Sequence, residues 1–504
     1  MIRQIHYKEL SGWPPLAWLA KGRAGDSSLS VYHGPQVETN EDWFGEVVWD
    51  GDYEQAGFHL TDVVVGSAGR LVDGEIVFVA SGNTLDRIVS IEIEGEVFVS
   101  NSIVCLAAYV DAKFNAWYPA YANDFKSIIH GLDDYVQTIP SSRGPIRLTY
   151  YRNLKFDGDW LTQIEKPGFD RQRNSSDSYR DFLLEALGAC VENMGARTRA
   201  FPFQMVGTLS SGFDSTTAAA LGKQFGLEEA FTIRNSRGGG SDCGTPIGDA
   251  LGLRVHEIER NKWREYPLTE TLFLSADAKG EDVYFRGAGE LLSRKVVLTG
   301  FSGSIWGGKS SSYVKWIRTD QSGLSLTEYR LHIGAIHLPV PSIGTYMAND
   351  VLEVMGQDEM KAWANGKAYD KPFCRKILTE AGVPDGLYGI EKKAASVLIE
   401  DRSSFLSDES LNDFENYLKD LFLAEPAMSR SYHTSKIFGG VAKAAVKTGQ
   451  AIAGTLGKMT SIDLLNRIQD SVRLSEYASS EASFRFLFPW AIEHAKKRYQ
   501  SDEF

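Results

Sequence analysis

Cysteine is scarce and scattered. The 504-residue chain has four, Cys105, Cys190, Cys243 and Cys374, each alone in its stretch. With no C-x-x-C spacing, neither a structural zinc site nor a dithiol redox pair is expected. The nine histidines include no H-E-x-x-H or comparable pair and are read as structural. No apolar run is long enough to span a bilayer, and Met1-Ile2-Arg3-Gln4-Ile5-His6 opens without an apolar signal core. A cytoplasmic, reducing setting without membrane contact is the expectation. Positive charge is also in deficit: a formal net charge of −13 argues against a general nucleic-acid or anionic-membrane surface. Finally, no G-x-x-x-x-G-K-[ST] phosphate loop is present at the expected place, and the Gly-rich Arg237-Gly238-Gly239-Gly240-Ser241 lacks the lysine.

What the chain does have is globular composition, 43% hydrophobic and 24% charged residues, and length for two or three domains. Its centre of organisation is Val206-Gly207-Thr208-Leu209-Ser210-Ser211-Gly212-Phe213-Asp214-Ser215-Thr216-Thr217 followed by Ala218-Ala219-Ala220-Leu221. This reads as a strand, a loop of small hydroxyl residues, and an Ala-rich helix. Such a corner aims backbone N–H groups and a positive helix end at one spot, which suits phosphate. Asp214 would repel phosphate unless a divalent cation, most naturally Mg²⁺, lies between them. A nucleotide with its metal is therefore expected.

Residues 1–168 alternate apolar and polar positions between turn signals, predicting a β-rich domain. Val63-Val64-Val65, Glu75–Val79, Ile88–Ile93 and Val97–Val99 read as strands, with Asp73-Gly74 and Glu94-Gly95 as tight turns. Asn101 to Asn123 reads as more helical, Gly144 to Tyr151 as strand again, and Lys166-Pro167-Gly168 as the boundary. Residues 169–428 begin with an amphipathic stretch at Tyr179–Leu187 and then alternate strands (Ala230–Ile233, Val255–Ile258, Lys295–Gly300) with helices. That order predicts an α/β domain with a doubly wound parallel sheet, binding ligands beyond the carboxyl ends of its strands. Residues 429–504 hold a small-residue-rich, weakly basic stretch, Gly439 to Lys458, and an aromatic end, Phe484 to Trp490, expected to form a helical tail packed on the second domain.

The loop Ser210-Ser211-Gly212-Phe213-Asp214-Ser215 resembles the pyrophosphate loop of the ATP pyrophosphatase superfamily, usually SGGxDS, with Ser211 where the second residue is normally Gly. Behind it, Asp242 to Glu257 with Ala250-Leu251-Gly252-Leu253 and His256-Glu257, then Arg318-Thr319-Asp320-Gln321-Ser322 and Glu328-Tyr329-Arg330, are similar in order to elements of asparagine synthetases. Gly95 to Ser102 is similar to part of the glutaminase domain that precedes the pyrophosphate-loop domain in that group. If so, the domain is degenerate, as in β-lactam synthetase and lasso-peptide cyclase. Glutaminase chemistry needs a processed N-terminal Cys, whereas Ile2 follows Met1 and the first cysteine is Cys105.

The resemblance implies an ATP-dependent ligase that makes an amide from an adenylated carboxylate, with pyrophosphate release and no use of glutamine within the chain. Ser210, Ser211, Gly212, Asp214 and Ser215 would hold the pyrophosphate end of ATP. Asp214 would also hold Mg²⁺, Ile233 and its neighbours would edge the adenine, and Gly300 would close the site. Lys392, with Lys393 as fallback, would stabilise the transition state, and Glu328 would give acid/base support. The partners would be a small-molecule or peptide carboxylate and an amine donor; a homo-oligomer or a partner protein is compatible. Ser304 and Ile305 occupy places where the group carries acidic residues, which together with Ser211 supports a second reading, a catalytically weakened nucleotide binder with a regulatory or assembly role. A third is a cyano-deazaguanine synthase-like enzyme, which usually carries a zinc-binding Cys cluster.

Overall fold

In the computed structural model the described residues are 1–167, 174–307, 321–344, 348–367, 369–398, 405–429 and 485–500. The N-terminal region holds thirteen strands: β1 (Gln4–Glu9), β2 (Trp18–Arg23), β3 (Ser28–His33), β4 (Glu38–Thr39), β5 (Trp43–Trp49), β6 (Val64–Val72), β7 (Glu75–Val79), β8 (Ile88–Ile93), β9 (Glu96–Ser100), β10 (Thr138–Ser141), β11 (Gly144–Thr149), β12 (Asn153–Phe156) and β13 (Leu161–Ile164). They form one sheet in the order β1-β3-β2-β9-β8-β11-β10 and another in the order β13-β12-β7-β6-β5-β4. The inner faces meet in one apolar layer that includes Trp18, Val31, Val99, Phe44, Phe78 and Leu154. Both tight turns read from the sequence are hairpin turns. Asp73 and Gly74 have φ of 52° and 82°, Glu94 and Gly95 of 52° and 79°, the doubly left-handed geometry that follows strand twist. The helical stretch expected over Asn101–Asn123 is broken into Ile103–Tyr109 and Tyr121–Lys126. The chain turns left-handed at Asp111, φ 49°, which ends the first helix.

The second region is built on five parallel strands, β14 (Gln204–Leu209), β15 (Glu229–Ile233), β16 (Arg254–Ile258), β17 (Lys295–Thr299) and β18 (Ile336–Pro339), in the order β16-β15-β14-β17-β18. Side chains alternate between two cores, as a sheet covered on both faces requires. Val206, Phe231 and Val297 face Phe273, Phe285 and Tyr329, while Leu209, Ala230 and Leu298 face Tyr179, Leu221 and Ile377. The chain runs outward from β14 to β16 and then returns to β17 on the other side, so the order reverses between β14 and β17. Ligand crevices form at such reversals.

The two regions are joined through the helix Leu326–Ile333, and this corrects the expectation for Glu328. Its carboxylate accepts from Ser102 Oγ (2.6 Å) and from the backbone N–H of Ile103 (3.0 Å), at the start of the helix Ile103–Tyr109. It therefore serves the domain junction and does not line the cleft described below. Two residues on, Arg330 donates to Glu46 at 2.8 and 3.2 Å and to Asp86 at 2.8 Å, all buried. The tail also departs from expectation. In the helix over 485–496, Phe486, Leu487, Trp490 and Ala491 pack on the second region. Phe488, Ile492 and Ala495, with Tyr499 just beyond, pack on the first, so the segment is wedged against both. The Gly439 to Lys458 stretch lies outside the described residues.

Burial pushes the Glu328 carboxyl up to about 7, against the donors Ser102 and Ile103 that favour the charged form. A carboxyl raised in the folded state stabilises the fold fully below its ordinary value near 4.5 and loses that contribution as pH rises through about 7. Unfolding free energy should therefore fall between about pH 4.5 and 7, with Glu328 contributing on the order of 3 kcal/mol. Glu328→Gln should flatten that slope in pH-dependent denaturation. An unchanged slope would show that another group titrates.

Candidate functional site

The carboxyl ends of β14 and β17 open into a cleft of about 400 Å³. Ser210, Gly212, Asp214 and Ser215 line it on one side and Gly300 on the other, while Phe231, Ile233, Phe285 and Phe301 make an apolar wall. The loop folds onto itself: Gly212 N–H donates to Ser210 Oγ (3.1 Å), which lies 2.8 Å from Ser215 Oγ, and Thr216 Oγ1 donates to Ser210 O (2.9 Å). The helix Asp214–Lys223 then starts with no side-chain cap. Its first N–H groups and positive end are left to an anion in the cleft. Gly300 packs directly on this helix start, where a Cβ would come within 2.2 Å of the Asp214 backbone. Ser302, next but one, is held left-handed at φ 66° with its buried hydroxyl unpartnered among the described residues. Strain and an unsatisfied donor at one cleft-lining position are the marks of a site shaped for a ligand.

Ser211 departs from its expected role. Its N–H meets both Asp242 O and Oδ1 at 3.2 Å, and its Oγ donates to Asp242 Oδ1 at 2.7 Å. Those donors are consumed by Asp242, which itself lines the cleft, so Ser211 positions a neighbour and does not present donors to a phosphate. Ser304 lines the cleft, whereas Ile305 is 9% exposed and packs in the core with Trp306. Neither supplies a carboxylate. Arg318, Thr319 and Asp320 lie outside the described residues.

Lysines converge from the far side of the chain. Lys371 immediately precedes the helix Pro372–Glu380; its Nζ donates to Asp214 Oδ1 at 2.5 Å and to Gly303 O at 2.7 Å. A cation at the positive end of a helix is unfavourable by itself. That misplaced charge was the sequence signal for a distant acidic partner, and sequence reading missed it.

Lys392 reaches the rim on a strap of backbone. Gly389 N–H donates to Ser211 O (2.9 Å), and its φ of 64° lets it lie flat on the Phe213 ring, where a Cβ would intrude to 2.2 Å. Further along, Arg237 N–H donates to Ala394 O (2.7 Å), Arg260 donates to the carbonyls of Ala395 and Ser396 (3.0 and 2.7 Å), and Val397 N–H donates to Glu281 O (2.8 Å). Between these anchors Lys392 is exposed into the cleft, while Lys393 donates to Ser241 O at 2.7 Å. The geometry leaves Lys392, more than Lys393, free to meet a ligand.

Asp214, the acid expected to share a metal, lines the cleft with its side chain 29% exposed. No group of three or more His, Cys, Asp or Glu that could hold a metal exists among the described residues. Mg²⁺ commonly takes one or two carboxylates and completes its shell with phosphate oxygens and water, so a single Asp beside a phosphate-binding corner fits that ion as a shared ligand. It does not fit an all-protein metal cage.

No protein-family model matches the chain, and no curated protein matches it either.

Proposed function

We propose that the chain is an asparagine synthetase-like, ATP-dependent ligase that converts a carboxylate to its adenylate and passes the acyl group to a nitrogen nucleophile. The observation that carries this reading is the placing of the Ser210–Ser215 corner at the sheet's reversal, in a cleft where Lys371 and Lys392 converge on it. The uncapped helix start receives the β- and γ-phosphates, helped by the Ser210 and Ser215 hydroxyls. Phe231 and Ile233 flank the base. In the first step the substrate carboxylate forms a bond to the α-phosphorus as the bond to the bridging oxygen breaks, and pyrophosphate departs. Lys392 stabilises the charge that develops there. In the second, nitrogen attacks the acyl carbon, AMP leaves, and the nitrogen loses its proton. When bound beside Asp214, Mg²⁺ supplies charge neutralisation of the phosphates.

A nucleotide binder without turnover is favoured by one observation: Lys371 already neutralises Asp214. Pyrophosphate release separates the two readings. For the zinc-bearing alternative nothing speaks, since the four cysteines form no metal-binding group among the described residues.

Millimolar Mg-ATP should raise the melting temperature of the native chain, and Asp214→Ala should abolish that rise while its far-ultraviolet circular dichroism stays unchanged. Stabilisation by a ligand at a hundred times its Kd is worth about 2.7 kcal/mol, well within detection. Absence of any shift in the native chain would defeat the nucleotide reading.

A further inference from the structure

The cleft has a second chemical character, away from its lysines. Asp282 is 1% exposed, contributes to the cleft wall, and stands beside the aromatic residues Tyr284, Phe285 and Phe301. One of its oxygens is fully used: Oδ2 accepts from Gly323 N–H at 2.8 Å and from Ser325 Oγ at 2.7 Å. The other, Oδ1, meets no donor among the described residues. An orphaned carboxylate oxygen in a low-dielectric wall costs stability unless something supplies a donor or a cation.

No described neighbour supplies the missing charge. Asp277 and Glu281 are themselves acids, and both raise the Asp282 pKa. Glu281 is taken up by Gln321. Among the lysines that line the cleft, Lys371 is engaged by Asp214 and Gly303 and Lys393 by Ser241, while Lys392 stands exposed at the rim and makes no hydrogen bond to Asp282.

We infer that Asp282 anchors a protonated nitrogen of the substrate, an alkylammonium carried on an apolar or aromatic stem that lies along Phe285 and Phe301. This deepens the ligase reading and rests on it, since it assigns a charged side group on one of the two reactants, separate from the neutral nitrogen that attacks the acyl carbon. Burial, with Asp277 and Glu281 adding to it, pushes the Asp282 carboxyl up to about 7. That is the behaviour of an acid lacking its cation. An incoming ammonium would hold it ionised through a charge-assisted hydrogen bond. The aromatic wall adds contact area and cation–π attraction for the same group.

The test uses small probes without nucleotide: phenethylamine and its neutral isostere phenethyl alcohol, with binding followed by ligand-observed NMR on the full chain at pH 7.5. The amine should bind at least about tenfold more tightly than the alcohol. Asp282→Asn keeps an acceptor for Gly323 and Ser325, and should remove that preference. Equal binding of the two probes to the native chain overturns the inference whether or not the variant folds, and so does an amine preference that survives in folded Asp282→Asn. Mg-ATP protection is measured on the same samples. A positive ATP shift with no amine preference refutes only the Asp282 assignment, whereas loss of the ATP shift refutes the ligase reading.

Discussion

Replacing Lys392 by alanine should lower the rate of pyrophosphate release by roughly 10²–10³-fold, the loss seen when one group aimed at developing transition-state charge is removed. The affinity for Mg-ATP should change by no more than a few-fold. That split follows from where the lysine sits. It stands exposed at the rim on the strap anchored through Gly389, Ala394 and Ala395, while the end of the cleft proposed to take the phosphates is built by Ser210, Gly212, Ser215 and Lys371 on other elements. An interaction made mainly in the transition state appears in kcat, and one made equally in the ground state appears in KM. Lys393→Ala provides the internal comparison. Its ammonium is held by Ser241 O, so its loss should cost much less. Equal losses for the two variants, read from single-turnover kinetics, would mean that the strap as a whole positions the substrate and that Lys392 is not singled out.

The second large effect concerns the fold. Arg330→Met should destabilise the chain by about 3–5 kcal/mol, because it leaves Glu46 and Asp86 buried without their cation. Burial alone would lower the Arg330 pKa, but Asp86 and Glu46 more than offset this and raise it, so the side chain is charged at any pH at which the protein folds. Glu46 is further committed to Ser67 and Asn101, which fixes its oxygens where Arg330 needs them. Urea denaturation measures the loss. The triple variant Arg330→Met, Glu46→Gln, Asp86→Asn should recover part of it, since removing all three charges also removes their desolvation cost. If the triple variant is no more stable than the single one, packing around the guanidinium dominates and the ion pairs do not.

How far the sequence led is clearest at individual positions. The corner at Ser210–Ser215 was legible because strand, hydroxyl-rich loop and helix are all encoded locally. The two hairpin turns were legible for the same reason: Asp-Gly and Glu-Gly dictate their own backbone angles. Glu328 was misassigned because Glu-x-Arg in a helix gives spacing and no information about which element it faces. The answer, Ser102 and Ile103, lies more than two hundred residues upstream. Lys371 escaped notice for the same reason, since its carboxylate partner is 157 residues away, and only the wrong sign of charge beside Pro372 hinted at it. Ser211 looked like an imperfect member of a phosphate loop; its hydroxyl turns out to be spoken for by Asp242. Asp282 carried no motif, and its unpartnered oxygen is a property of burial that no local pattern displays.

The clamp at Arg330 bears on what the β-rich half does for the rest of the chain. Both anions that neutralise this guanidinium belong to the N-terminal region, Glu46 in β5 and Asp86 in the loop before β8, and the donors to Glu328 sit at the start of an N-terminal helix. The parallel-sheet half released from that partner would carry a bare cation and an unsatisfied acid on a surface otherwise made for contact. Shedding the first half would thus dismantle the second, so the first is part of what holds the second folded.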